Sequence, residues 1–169
     1  PESFARIPPH LLENFERSLV LTPNERLARE LSSAFDSVMI ENNRRAWTAM
    51  KCQSLRRFWL DLHTVLKEAG LIHTRLLPAH IINMRFQRTA PDGLRNQCRS
   101  AVEAWMLVRR YGIDLNSSQM QSSRNAYFSD WCHRAEPEPS SAEIVEADLP
   151  GLLCDHIDEL LPLIDAPPL

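Results

Sequence analysis

Apolar residues recur along most of this chain at intervals of three and four, which is the spacing of helices that bury one face. Asn24, Ser54 and Asp148 each precede such a segment and are expected to cap a helix. Gly70 and Gly112 follow two others and are expected to end them. The helical pattern covers 8–16, 25–41, 54–69, 78–90, 94–111, 125–134 and 148–161. It therefore predicts a chain that is mainly α-helical.

Two short segments depart from the helical spacing. Residues 18–22 form an apolar, β-prone run that Pro23 stops, which predicts a buried strand leading at once into the helix after Asn24. A weaker pattern predicts a second strand at 49–53. The expected fold class is mainly α with a small parallel β element. It has an α/β part at 1–53, a helical part at 54–161, and a lead into a further strand at 162–169.

The same periodicity predicts which side chains lie in the core. On the helix at 125–134, aromatic residues are expected to anchor the inner face, namely Tyr127, Phe128 and Trp131. On the last helix the expected inward residues are Leu152, Leu153, Ile157 and Leu160. Cys154 and Ile157 are expected to share this apolar face.

Composition limits the class of protein, but the distribution of charge is more informative than its sum. The chain has 169 residues, with 19 Lys and Arg against 22 Asp and Glu, for a net charge of −3. Residues 1–110 hold 17 basic and 11 acidic side chains, whereas 111–169 hold 2 basic and 11 acidic ones. This asymmetry indicates either a basic face for a polyanion or two halves that neutralise each other in the fold.

Other features of the composition exclude whole classes of protein. The longest apolar runs fall well short of about 18 residues, which excludes a membrane-spanning helix. Four cysteines are too few for a disulfide framework, and they fit a reduced, cytoplasmic setting. The length suits one domain with an ordinary core.

The turn between the first strand and its helix has the position of a phosphate-binding loop without its residues. Such a loop needs glycines that let backbone amides approach the phosphates, and a lysine that reaches them. Here 22–26 reads T-P-N-E-R, without glycine or lysine, and Glu25 puts a negative charge where a phosphate would lie. ATP binding and a nucleotide cofactor are therefore not expected.

Residues 19–31, L-V-L-T-P-N-E-R-L-A-R-E-L, resemble the opening of a family of DNA-repair proteins that are similar to the AddB and RecC subunits of bacterial ATP-dependent helicase–exonucleases. Further landmarks follow in the same order over nearly the whole chain. They are Trp47, Trp59-Leu60, Leu76-Leu77, the run A-V-E-A-W-M-L-V-R-R-Y-G-I at 101–113, Trp131 and A-D-L-P at 147–150.

This resemblance implies that 1–169 is a single helicase-like N-terminal domain in which the ATP loop has degenerated. The nuclease domain of the family lies far downstream, so the resemblance implies no catalytic residue here. Two positions depart from the family, which often has a basic residue at Glu25 and a glutamine at His80. Contacts to an anion or a base at those two points are therefore not expected to carry over.

Basic residues near two tryptophans are the candidate nucleic-acid site. Single-stranded DNA is bound by pairing phosphates with Lys and Arg and by stacking bases on aromatic rings. Trp59 lies on an apolar helix face and is expected in the core, whereas Trp47 fits either a core or a stacking role. The alternative for the arginines is a solvated surface. The candidate residues are Asn24, Arg26, Arg44, Arg45, Trp47, Lys51, Arg56 and Arg57.

No metal site or catalytic constellation is predicted. Cys132-His133 and Cys154-x-His156 match no zinc spacing, and no nucleophile motif occurs. The expected function is that of a non-catalytic, helicase-like domain without a cofactor. It would bind or guide DNA, which is expected to be single-stranded. Otherwise it would dock against other domains of its chain or against a helicase partner subunit. No role at a membrane is expected. The alternative is a helical protein-interaction module with no nucleic-acid role.

Overall fold

The computed structural model describes residues 7, 14–122, 125–137 and 142–165, and the chain divides into two compact units, Pro1–Leu62 and His63–Leu169. Within the described residues, helices predominate and the strands form small parallel pairs. This confirms the mainly helical class with a small parallel β element. The helix predicted at 8–16 lies mostly outside the described residues, and Phe15–Arg17 form a single 3-10 turn.

The first unit contains the strand–turn–helix that the sequence predicts. Strand β1 (Leu19–Thr22) leads into helix α1 (Glu25–Glu41), and strand β2 (Lys51–Ser54) leads into helix α2 (Leu55–Glu68), whose residues from His63 onward belong to the second unit. The two strands are parallel, in a register that places Leu19 opposite Lys51 and Thr22 opposite Ser54. The second strand therefore exists, slightly later in the chain than its pattern indicates.

Helix α1 forms because its first turn is capped and one of its faces is apolar. The Asn24 side chain accepts a hydrogen bond from the backbone N–H of Leu27 at 2.9 Å, which confirms the predicted cap. The buried residues of α1 are Ala28, Phe35 and Met39. Around Phe35, Met39 and Met50 pack the partly buried side chains of Ile7, Phe15, Val20, Leu31, Trp47 and Cys52.

The second unit is built from helices α3 (Ala79–Thr89), α4 (Cys98–Arg110), α5 (Ala126–Ala135), α6 (Leu149–Asp155) and α7 (Ile157–Asp165). Strand β3 (Arg75–Leu76) pairs in parallel with strand β4 (Glu143–Ile144). The Leu77 N–H extends this pair by donating to the Ile144 carbonyl at 2.8 Å. Two-residue strands carry no periodic pattern, which is why this sheet was not predicted.

Three aromatic side chains on α3, α4 and α5 form the centre of this second core. The ring of Phe86 lies 5.4 Å from that of Trp105 and 5.7 Å from that of Trp131. The Trp131 indole N–H donates to the Phe86 carbonyl at 3.0 Å, so its polar atom is satisfied inside the core. Tyr127 is not an anchor as predicted, because its side chain is 70% exposed.

The last predicted helix is wrong in its extent. It is two helices, α6 and α7, separated at His156. Asp148 is the N-cap residue of α6, as predicted, but its carboxylate accepts from the Val145 N–H of the preceding 3-10 turn and makes no capping bond to α6.

The face predicted for this helix is also wrong in part. Leu153 and Leu160 are buried as predicted, but Ile157 is 49% exposed and Cys154 is exposed too. The helical period breaks at His156, so residues on either side of it no longer share one face. The predicted lead into a strand is corrected over 162–165, which continue α7, while 166–169 lie outside the described residues.

Candidate nucleic-acid interface

Both helices of the first unit begin at the carboxyl edge of the β1–β2 sheet. The last residues of the two strands, Thr22 and Ser54, are paired in the register, and α1 and α2 start within three residues of them. In parallel α/β sheets, ligands bind at the carboxyl ends of the strands. Helix N-termini also carry unpaired N–H groups and partial positive charge. This edge is therefore the natural place for an anionic ligand.

The turn between β1 and α1 is held by its own side chains. The Thr22 hydroxyl lies 2.9 Å from the Asn24 carbonyl and 3.3 Å from the Gln53 carbonyl, so it links the turn to the neighbouring strand. The Asn24 side chain accepts a hydrogen bond from the Leu27 N–H. Thr22 is only 3% exposed, so its hydroxyl makes these hydrogen bonds inside the protein.

The carboxylate of Glu25, the first residue of α1, reaches the start of α2. The Glu25 carboxylate accepts a hydrogen bond from the Ser54 hydroxyl, which in turn accepts from the Arg57 N–H at 3.1 Å. Ser54 therefore caps α2, as predicted, and also joins the starts of the two helices. The charge of Glu25 opposes binding of a second anion at this point.

Three exposed arginines lie in the first turns of α1 and α2, the helices that begin at this edge. Arg26 pairs with Glu30 at 2.8 Å and Arg57 pairs with Asp61 at 2.9 Å, each across one helical turn. Arg56 is also exposed. Pairs of this kind contribute little to stability, so the guanidinium groups can exchange a carboxylate for a phosphate at little cost.

The structure separates the predicted site residues into two groups. The carboxyl-edge group consists of Asn24, Arg26, Arg56 and Arg57, and the amino-edge group consists of Arg44, Arg45, Trp47 and Lys51. Lys51 pairs with Leu19 at the start of the sheet, and Arg44 and Arg45 follow the end of α1. The 17 residues of α1 span about 25 Å, which separates Arg26 near its start from Arg44 and Arg45 after its end.

Trp47 anchors its loop and does not stand free as a stacking platform. Its indole N–H donates to the Asp36 carboxylate at 2.9 Å, and its ring packs partly buried against the Phe35 core. Trp59, predicted to be in the core, is half-buried on α2. Neither ring is the fully exposed aromatic face that stacking on bases favours.

The pair formed by Glu25 and Ser54 was missed as part of a site. Sequence reasoning assigned Ser54 to capping only and noted the charge of Glu25 without a partner. A usable signal exists, because each predicted strand ends in a hydroxyl residue, Thr22 and Ser54. Two parallel strands ending together bring such residues to one edge.

Acidic residues of the second unit pair with arginines from the basic part of the chain. Arg109 makes two hydrogen bonds to the Asp148 carboxylate, at 2.7 and 3.1 Å, and a longer one to Glu136 at 3.4 Å. Arg85 pairs with Glu143 at 2.6 Å. These contacts support the interpretation that the two sequence halves neutralise each other, at least within this unit.

The described residues offer no group of three or more His, Cys, Asp or Glu side chains that could hold a metal ion. Burial and the nearby Glu136 raise the pKa of the Cys132 thiol to about 12, so this cysteine is protonated and unreactive at neutral pH. Burial also raises the pKa of the Cys52 thiol. Neither cysteine has the lowered pKa of a nucleophile or a metal ligand.

Comparisons with protein-family models, with curated proteins and with solved structures find no match to this chain. Across the described ranges, every helix is too short or too polar to cross a lipid bilayer.

Proposed function

We propose that this chain is a non-catalytic, helicase-like domain of a DNA-repair protein of the AddB and RecC kind. It binds single-stranded DNA through phosphate contacts at the carboxyl edge of the β1–β2 sheet. The carboxyl-edge arginines, Arg26, Arg56 and Arg57, hold the phosphates, and the domain neither binds nor hydrolyses ATP.

The observation that carries this proposal is the arrangement of helix starts and charged side chains at the carboxyl edge. Two helices begin there beside three exposed arginines, and the carboxylate of Glu25, the first residue of α1, accepts a hydrogen bond from Ser54 at the start of α2. The absence of glycine and lysine from the turn supports the same conclusion. Such an edge favours a backbone of separated phosphates that passes over the arginines more than a compact triphosphate seated in the turn.

A protein-interaction role is the second candidate function. It is supported by the apolar side chains that α7 exposes, in particular Ile157, Leu161 and Ile164, which are each about half exposed. A protein that binds its partner through these apolar side chains would not need the carboxyl-edge arginines.

The test is a fluorescence anisotropy titration of a labelled oligothymidylate of about 20 nucleotides with the full chain. The triple variant R26E/R56E/R57E is expected to weaken binding at least about tenfold, because each contact to a phosphate becomes a repulsion. A second variant, R44E/R45E, reports on the amino-edge group and is expected to weaken binding less.

Arg99 supplies the matched control. Like Arg26, it is the second residue of its helix and pairs with a glutamate four residues later, at 3.1 Å. R99E is expected to leave the affinity within about twofold. The proposal is refuted if the oligonucleotide does not bind, if binding is insensitive to salt, or if the chain saturates with micromolar ATP.

A further inference from the structure

Helix α7 exposes an apolar stripe with the spacing of a helix that lies in a groove. Ile157, Leu161 and Ile164 are separated by four and three residues, so they share one face, and they are 49%, 53% and 49% exposed. The neighbouring Leu160 is fully buried and fixes α7 to its own unit. Anchors at such intervals are how an amphipathic helix is recognised by a hydrophobic groove.

The same unit contains an apolar groove between α3 and α4. Its volume is about 360 Å³, and its floor and walls are formed mainly by aliphatic side chains. Leu107 at its side is 50% exposed. The residues that line it are Ala79, Ile82, Val102, Glu103, Met106, Leu107 and Arg110.

Helix α7 is acidic, and the apolar groove has a cation at its rim. Helices α6 and α7 contain four acidic residues and no Lys or Arg. Helices α3 and α4 contain five arginines, of which Arg85, Arg99 and Arg109 are paired with carboxylates of their own unit. At the rim of the groove, Glu103 is paired with Arg99, and Arg110 has no carboxylate partner among the described residues. Asp158 flanks the apolar stripe of α7 and would face such a cation.

From this complementarity we infer that the occupant of the groove is α7 of a second copy of the chain. Each copy carries both the acidic apolar helix and the apolar groove with Arg110 at its rim. Two reciprocal contacts related by a two-fold axis therefore close a dimer. A reciprocal pair also doubles the buried area that one nine-residue helix, about 13 Å long, could supply. This inference is independent of the proposed binding of DNA.

Sedimentation equilibrium of the full chain, from about 5 to about 300 μM, tests the dimer. L161D on the helix and L107D in the groove are each expected to raise the dimer dissociation constant about a hundredfold, since each variant brings a charge into both apolar contacts. Both leucines are about half exposed, so neither substitution disturbs the core. L71D, which changes another exposed leucine of the same unit, is the matched control and leaves the constant within about twofold.

A mixture of L161D and L107D provides the decisive observation. A mixed dimer retains one intact contact, between the helix of the L107D copy and the groove of the L161D copy, so the mixture associates more strongly than either variant alone. The double variant D158R/R110E is likewise expected to restore the dimer affinity that each single charge reversal loses. The inference is overturned if the chain is monomeric over the whole range, or if dimerisation survives in both leucine variants.

Discussion

At the scale of single residues, His63 is the clearest case of a polar side chain controlled by its surroundings. Its ring is buried at the start of the second unit, with Nε2 at 3.0 Å from the Thr74 hydroxyl. Burial, and to a smaller extent the charge of Lys67, hold the pKa of His63 below its ordinary value of 6.5. The folded state therefore favours the neutral ring.

The stability of the chain is consequently expected to fall in mild acid. An unfolded histidine takes up its proton near pH 6.5, while the folded ring resists protonation until a lower pH. The contribution of His63 is complete above pH 6.5 and is lost as the pH falls from there through the folded pKa. Urea unfolding at about pH 7.5 and about pH 5 is expected to show a larger loss of unfolding free energy for the native sequence than for H63Q.

The exposed His73 provides the control for this pH dependence. H73Q changes a histidine of the same unit that lies at the surface, and it should retain the acid sensitivity of the native sequence. Equal acid sensitivity in H63Q and the native sequence would show that His63 is not the group responsible.

At the scale of elements, the cap of α2 joins local and long-range interactions in one side chain. Ser54 accepts from the Arg57 N–H three residues later, and it donates to Glu25, which is 29 residues earlier. S54A removes both bonds and is expected to lower the unfolding free energy by about 1 to 2 kcal/mol. Urea unfolding followed by circular dichroism measures this difference.

A second helical serine separates capping from a general effect of removing a hydroxyl. The Ser37 hydroxyl donates to the Ser33 carbonyl at 3.0 Å on the exposed side of α1, a bond that contributes little to the helix. S37A is expected to change the unfolding free energy by no more than about 0.5 kcal/mol. A loss in S37A as large as that in S54A would contradict the role assigned to the cap.

At the scale of the whole molecule, ion pairs in the second unit join parts of the chain with opposite charge. Arg109 and Asp148 are 39 residues apart and their side chains are 28% and 18% exposed. The guanidinium also lies 5.3 Å from the centroid of the Trp105 ring. Arg109 thus connects α4 to the 3-10 turn before α6 and to the end of α5.

Removing this guanidinium is expected to be costly, because two partly buried carboxylates lose their partner. R109A should lower the unfolding free energy by about 2 kcal/mol. R99A, on the same helix, removes an exposed pair and should cost less than about 0.5 kcal/mol. Denaturant unfolding of both variants checks the difference, and similar losses would show that burial does not strengthen the Arg109 pairs.

The elements that sequence analysis predicted well are those with a strong local signal. α1 and its cap at Asn24 depend on residues within one helical turn, and β1 depends on a short apolar run ended by Pro23. The break at His156 was missed because the apolar period continues in the sequence across it, although the backbone does not. Helical period alone cannot show that one apolar segment is divided between two helices.

The candidate site shows more clearly that local sequence patterns do not give the positions of residues in space. The basic residues at 44–57 are close in sequence, yet Lys51 lies at the start of β2 while Arg56 and Arg57 lie beyond its end. Trp47 could have been a core or a stacking residue, and its contact with Asp36 was not visible in any local pattern.

By itself, the sequence determined the helical class, the short strand before α1, the caps at Asn24 and Ser54, and the absence of glycine and lysine from the turn. These properties depend on neighbours within a few residues. Only the tertiary structure decided the parallel register of β1 and β2, the pairing of β3 with β4, and the division of the basic residues between two edges. It also placed the Ser54 hydroxyl on the Glu25 carboxylate, and Arg85 on Glu143, 58 residues away. The physical reason is that such contacts join distant segments, so their partners are set by packing of the whole chain and not by local preference.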